Sequence, residues 1–268
     1  MHIQPAQANI PFRQTRAAVL LAACLSLAAP AVAQDPWSGG YVGVAATSSR
    51  NVISGTTVKA DGTVGANATN EAANALTDAA GGFALQAGLR KRLGSGLIVG
   101  LHADIARPGH QTRTQNLIDG GVYAGQPSAT LQYETPWLAT ARAVAAWSFG
   151  DLLVFGSGGA AFAAEQVTRT QYRAVPASSV TAAQFSETDR QLRRGYVLGA
   201  GLEWRWGSRW ALRAEYLQAR FPDQAFNFPD ARGGAQGAFA TVQGRAASNH
   251  AHLSAVWIGL SYAFGRGH

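Results

Sequence analysis

A two-residue alternation of apolar with small or polar side chains recurs in seven segments of the chain and restricts the fold more than any other feature. An eighth segment, residues 152–163, is a run of small and apolar residues whose pattern does not fix its facing. The clearest pair of segments covers residues 82–93 and 97–105, separated by the tight turn Gly94-Ser95-Gly96. Because alternate side chains of a strand point to opposite faces, each segment predicts a β-strand with one apolar face. The eight predicted strands cover residues 37–47, 82–93, 97–105, 131–147, 152–163, 194–206, 210–216 and 256–264.

The connections between these segments alternate strictly between short and long. Short turns are predicted at residues 94–96, 149–151 and 207–208, and long polar loops at 48–80, 107–130, 164–192 and 221–249. A soluble sandwich would not sort its loops by length, whereas an outer-membrane barrel has short periplasmic turns and longer extracellular loops. We therefore predict an all-β fold, an eight-stranded antiparallel up-and-down transmembrane β-barrel with short periplasmic turns and four long extracellular loops.

The N-terminus has the three parts of a secretion signal. Arg13 and Arg16 precede an apolar run over residues 17–29, and an Ala-Val-Ala triplet then offers a cleavage site. The run is too short and too rich in alanine to favour a membrane-anchoring helix. We therefore predict a signal peptide over residues 1–33 and one outer-membrane β-barrel domain over residues 34–268.

Cys24, the single cysteine of the chain, lies within the predicted signal. Cleavage after residue 33 would leave a mature chain without any disulfide. Residues 21–24 also fit the pattern at which bacterial lipoproteins are cut and lipidated, so a second processing route stays open.

The composition favours a membrane protein that crosses with strands. Charged residues make up 14% of the chain, against about a quarter in soluble domains. Beyond residue 33 no apolar stretch approaches the ~20 residues that a spanning helix needs, and a closed barrel is the strand arrangement without unpaired backbone in lipid. Loss of two arginines with the signal would reduce the net charge from +7 to +5. This balance suits an anionic lipid surface, and without basic clusters nucleic acid is not an expected partner.

Two sets of side chains are expected to have distinct environments. The interior of an eight-stranded barrel is just wide enough for side chains to fill, and buried charges are costly unless paired, so inward polar residues should form a network. Aromatic residues near strand ends should form girdles at the membrane surfaces. The predicted network comprises His102, Asp104, Arg142, Glu203, Arg205, Arg213 and Glu215. The predicted girdle comprises Trp37, Trp137, Trp147, Trp204, Trp210, Tyr216, Tyr262 and Phe264.

Several short motifs, in order along the chain, resemble the OmpA-like porin-family outer-membrane proteins of Proteobacteria, which include the major outer-membrane antigens of Brucella and Rhizobium. The motifs are WSGGYVG at residues 37–43, Arg142 in TARAVAAW, FGSGGA at residues 155–160, GAGLE at residues 199–203 and WALRAEY at residues 210–216. The resemblance implies an outer-membrane location and recognition by the barrel-assembly machinery. Members of the family usually end on an aromatic residue, whereas here four residues follow Phe264.

The expected function is a non-enzymatic, structural and surface-exposed role in the cell envelope, without a cofactor. Outer-membrane lipids and lipopolysaccharide are expected partners, and a monomer is the default because one chain closes one barrel. A small porin-like diffusion channel is the main alternative, and an adhesin or receptor is another. Basic residues near the loop bases could contact lipopolysaccharide phosphates: Arg107, Arg193, Arg220 and Arg245.

An enzymatic role is the least favoured alternative. His252 and Ser254 have the spacing found in outer-membrane lipid A deacylases, but the segment that follows the serine in those enzymes is missing here. A catalytic serine needs a base and an orienting third group. The sequence also shows no metal-ligand cluster, because His102 and Asp104 alone are too few ligands for a specific site.

Overall fold

A computed structural model describes residues 36–59, 76–94, 96–108, 113–117, 129–174, 181–230 and 244–264. The predicted signal peptide with Cys24, and the tail after Phe264, lie outside the described residues. No helix in the described ranges is long and apolar enough to cross a membrane.

The described part of the chain forms nine strands, eight of which close one antiparallel ring. Each ring strand pairs with its neighbours in sequence order, β3 pairs directly with β5, and β9 pairs with β1. The predicted eight-stranded up-and-down barrel is therefore confirmed, and β4 is an additional short strand on the loop side of β5. The strands are β1 Gly39–Lys59, β2 Leu76–Arg92, β3 Leu97–Arg107, β4 Arg113–Leu117, β5 Ala129–Phe149, β6 Leu152–Ala174, β7 Thr181–Trp206, β8 Trp210–Phe228 and β9 Arg245–Ala263.

The register of the ring fixes its width. Following direct cross-strand partners from Tyr41 around all eight strands returns to β1 at Asn51, ten residues further along. A stagger of ten residues is about 33 Å, against about 38 Å for the width of eight strands measured perpendicular to them, so the strands tilt by roughly 40°. A barrel of this size holds packed side chains rather than a wide channel.

On three neighbouring strands the outer surface carries an apolar band whose two edges lie ten residues apart. On β7 it runs from Trp204 to Arg194, and on β8 from Trp210 to Arg220. On β9 it runs from Tyr262 to His252. Ten residues at this tilt span about 25 Å, the height of the apolar band in outer-membrane barrels. The end with the short turns is called the turn side below, and the opposite end the loop side.

The strands continue beyond this band on the loop side, where the polarity of the sheet is inverted. The β6–β7 pair extends from the band to its last described partners, Ala174 and Thr181. Its outer face there is polar, with the hydroxyls of Thr168 and Thr188 2.9 Å apart, whereas the inward Val167 is fully buried. The predicted long loops were therefore wrong in extent, since much of the chain placed in them forms strands.

A bulge in β5 corrects the predicted facing of its first residues. The register shifts by one residue between Glu134 and Trp137, where Pro136 has no N–H to contribute to the ladder. An uninterrupted two-residue alternation over the predicted strand 131–147 would place Leu131 and Tyr133 on the same face as Trp137. They instead point inward and are buried, because the extra residue reverses the side-chain parity.

Two adjacent glycines of β6 provide a matched test of the ring. A Cβ at Gly159 would lie 2.0 Å from the backbone oxygen of Ala141, whereas one at Gly158 would meet first the flexible side chain of Leu198 at 3.2 Å. Gly159→Ala should therefore destabilise the barrel by about 1–3 kcal/mol, as overpacking does. Gly158→Ala should have a much smaller effect. The temperature at which the compact form is lost in SDS measures both, and equal shifts would contradict this account.

Candidate functional site

A network of charged side chains fills the interior on the turn side of the barrel. Arg142 of β5 donates a hydrogen bond from Nη2 to Oδ2 of Asp104 at 2.6 Å, and its Nη1 donates to Glu215. Arg213 donates to Oε2 of Glu215 at 3.0 Å and to Oε2 of Glu203 at 3.5 Å. The side chains of these residues are at most 3% exposed, so the network is sealed from water.

The network is balanced in charge. Arg90, which the sequence analysis left out of the predicted set, donates to Oε1 of Glu203 at 2.9 Å. Three guanidinium groups therefore face three carboxylates in a medium where an unpaired charge would cost several kcal/mol. His102 joins the edge of the network: its Nδ1 lies 2.5 Å from the hydroxyl of Tyr41, and its Nε2 lies 3.4 Å from Asp104.

Trp37 closes the turn-side end of the interior and is not part of a girdle. Its side chain is buried because it has the inward parity of Tyr41, and its Nε1 donates to the backbone oxygen of Gly150 at 3.0 Å. Arg205 lies over this indole, 5.8 Å from the ring centroid, and pairs with the exposed Asp151. Of the seven residues in the predicted network, the structure thus brings six together and places Arg205 apart at the mouth.

A second polar cluster lies higher in the interior, around Arg193. This buried guanidinium donates to Oε2 of Glu165 and to Oδ1 of Asn249, both at 2.6 Å, and to the backbone oxygen of Pro222 at 2.8 Å. Arg193 was predicted at the lipopolysaccharide surface. That placement is wrong because the residue has inward parity on β7, and the outward neighbour is Arg194.

Buried polar residues such as Asn51, Gln86 and Arg169 also point into the described interior, and apolar side chains make up most of the rest. The apolar side chains occupy the levels between the two polar clusters and the barrel above Arg193, with Trp257, Leu217, Val197, Leu253, Phe221, Tyr133, Val167, Leu131, Phe226 and Phe228 all buried. At the loop-side mouth, burial raises the pKa of Glu187, and the charges of Asp230 and Asp189 raise it further. The interior is therefore filled by layers of different polarity and ends in an acidic mouth.

The aromatic residues of the predicted girdle fall at three heights. Trp147, Trp204, Trp210 and Phe264 are exposed at the turn-side edge of the apolar band, with Tyr262 beside them. Trp137 lies ten residues from Trp147 on β5, at the loop-side edge. Tyr216 is not at an edge, because it lies six residues beyond Trp210 within the band. Its hydroxyl accepts a hydrogen bond from Nε2 of Gln218 at 3.1 Å.

Sequence reasoning missed residues of the interior for two different reasons. The inward position of Arg90 could have been predicted from the sequence, because Arg90 lies on the same face of β2 as Gln86. Glu165 and Asn249 were hidden, because both lie in segments predicted as loops, where no inward parity could be assigned. The bulges in β5 and β8 interrupt the two-residue alternation nearby, so the alternation could not assign inward residues there either.

The other candidate residues do not assemble into a recognisable catalytic or metal site. His252 and Ser254 point outward from β9, and the His252 ring lies 5.8 Å from that of His250. No group of three or more histidine, cysteine or acidic residues suited to a metal ion occurs among the described residues. The predicted absence of enzymatic activity stays a prediction.

Comparison with known proteins identifies the class. The family model for the outer membrane protein beta-barrel domain matches residues 18–264, so the chain belongs to this family. It is an outer-membrane β-barrel protein. No curated protein sequence matches the chain. The finer resemblance to OmpA-like porin-family proteins stays a prediction.

Solved structures agree with the fold. OprG from Pseudomonas aeruginosa is 14% identical, the match covers 85% of this chain and 97% of that chain, and the TM-score is 0.53. Ail, the attachment invasion locus protein of Yersinia pestis, is 10% identical over 84% of this chain and 99% of that chain, with a TM-score of 0.37. The outer membrane protease OmpT from Escherichia coli is 10% identical over 84% and 96%, with a TM-score of 0.45. At 14% sequence identity, the likeness to OprG shows a shared fold alone.

Removal of the central arginine tests the network. Arg142→Met should lower the free energy of unfolding by about 3–5 kcal/mol, because Asp104 and Glu215 lose a buried partner. Arg205→Met removes an arginine whose partner Asp151 is exposed, and it should cost at most about 1 kcal/mol. Urea unfolding in lipid vesicles measures both variants. A loss at Arg142 no larger than that at Arg205 would show that the network does not hold the barrel together.

Proposed function

We propose that the protein is a closed, non-enzymatic outer-membrane barrel that carries a rigid β-structured extension at the cell surface and supports the envelope. The proposal includes a monomeric state, since one chain closes the ring. The OmpA-like resemblance of the strand motifs is consistent with this role.

The filled interior is the observation that carries the proposal. The charge network, the Arg193 cluster and the apolar layers follow one another along the barrel axis. A cavity between Trp37, Arg90 and Glu203 has a volume of about 10 Å³, which holds about one water molecule. Such an interior supports a structural element better than a solute path.

The extension beyond the membrane supports a role at the surface. On β7, thirteen residues separate Arg194 at the edge of the apolar band from Thr181, which corresponds to about 30 Å at the strand tilt. Its outer face is polar, while its interior combines buried apolar residues such as Val167 and Phe226 with charged ones such as Arg169 and Asp189.

Conductance in planar lipid bilayers tests the proposal. Purified protein that shows the heat-dependent mobility shift of a folded barrel should give no steady channel openings, because packed side chains fill the described part of the interior. Steady openings of uniform size would contradict the proposal, above all if Trp37→Ala increases them. The lipid-facing Trp210→Ala is the matched control, and it should leave any opening unchanged.

A further inference from the structure

Basic side chains point outward from three adjacent strands at the loop-side edge of the apolar band. Arg50 of β1, Arg220 of β8 and His252 of β9 are exposed, and we call this group the basic rim. Arg220 and His252 are direct cross-strand partners, and Arg50 is the direct partner of Ser254, two residues from His252. Two permanent positive charges and an imidazole therefore lie side by side at the level where the headgroups of the outer leaflet begin.

Polar side chains continue from the basic rim into the apolar band. Gln218 and Ser254 are direct partners on β8 and β9, and Tyr216 follows next on β8. We call these three residues the polar patch. Nε2 of Gln218 donates to the Tyr216 hydroxyl, yet Gln218 and Tyr216 stay exposed on a surface that otherwise faces acyl chains. The three side chains also partner one another, since the Tyr216 hydroxyl hydrogen-bonds with Ser254 as well as with Gln218. The patch therefore presents hydrogen-bonding groups at a level where the surrounding surface faces acyl chains, which suits a ligand with polar groups below its charged end.

An apolar groove lies on the outer surface below the basic rim and the polar patch. It is a shallow depression open to the lipid, with a volume of about 470 Å³, and it is lined by residues of β1, β2, β8 and β9. Small residues such as Ala46 and Gly82 form its floor, between the larger Phe83, Ile258 and Leu260. On β1, Ala46 lies four residues below Arg50, so the groove continues the same face toward the turn side.

We propose that this face binds one molecule of lipid A, the phosphorylated and acylated glycolipid that anchors lipopolysaccharide in the outer leaflet. Its phosphate binds the basic rim, its sugar and the amide and hydroxyl groups near its acyl attachment points contact the polar patch, and an acyl chain lies in the groove. Charge complementarity selects the phosphate, and the polar patch distinguishes this ligand from a glycerophospholipid. The inference is independent of whether the barrel conducts.

The proposal refines the set of basic residues expected from the sequence. Arg220 stays in the site, Arg193 is inside the barrel, and the Arg245 side chain lies outside the described residues. Arg107 is exposed on β3 and is the direct partner of Phe83, next to the upper end of the groove. Sequence reasoning missed Arg50, because it lies in a segment predicted as a loop.

Retention of lipid A by the full-length protein tests the site. The double variant Arg50→Gln/Arg220→Gln should bind hexa-acylated, bis-phosphorylated lipid A in nanodiscs roughly tenfold more weakly than the unchanged protein, as two lost surface ion pairs predict. The control Lys91→Gln/Arg209→Gln removes the same charge from the turn-side edge and should bind normally. A heat-dependent mobility shift identifies folded protein in every sample.

Two further measurements test lipid A binding independently of the charge variant. Ala46→Phe fills the groove without changing charge and should also weaken binding, which provides the test if the charge variant fails to fold. Lipid A without its phosphates, and phosphatidylglycerol, should compete poorly. Equal binding by the site and control variants, or equal competition by phosphatidylglycerol, would overturn the proposal in favour of a general attraction of anionic lipid.

Discussion

The hydrogen-bonded pairing of β1 with β9 is the interaction on which the rest of the structure depends. In lipid, an unpaired backbone N–H or C=O has no water to replace its partner, so an open sheet edge is excluded. The two strands pair from Tyr41–Ala263 to Lys59–Arg245, well beyond the apolar band. Closure at a stagger of ten residues then fixes the tilt of the strands, and the tilt fixes how many residues of each strand cross the membrane.

The closed ring also explains why polarity alternates both across and along the sheet. Within the membrane the outer face must be apolar, so polar side chains collect inside, where Arg142 joins Asp104 and Glu215. Beyond the band water replaces lipid, and the same strands carry apolar residues such as Phe226 inside. The position of the inversion therefore marks the membrane surface, and the basic rim lies at the same height.

The sequence predicted the ring well and the parts outside the membrane poorly, for a physical reason. An apolar-out alternation is visible in predicted strands such as residues 210–216, because the outer face must be apolar wherever it contacts lipid. In the extension the outer face needs only to be polar, so residues 164–174 resemble a loop, although β6 continues through them. The interior charges on regular strands could be assigned by parity, whereas a bulge near Pro136 or Pro222 reverses parity without a clear signal in the pattern.

Accessibility of single cysteines in intact cells tests the central claim, which is a sealed barrel whose strands leave the membrane at Arg194. Three positions on β7 are decisive in a chain with Cys24→Ser: Thr188, Val197 and Leu198. A membrane-impermeant maleimide should label Thr188→Cys. Val197→Cys inside the barrel and Leu198→Cys in the lipid should both stay unlabelled until the protein is denatured. Labelling at Val197 in folded protein would show a water path through the interior, and protection at Thr188 would contradict the position of the membrane.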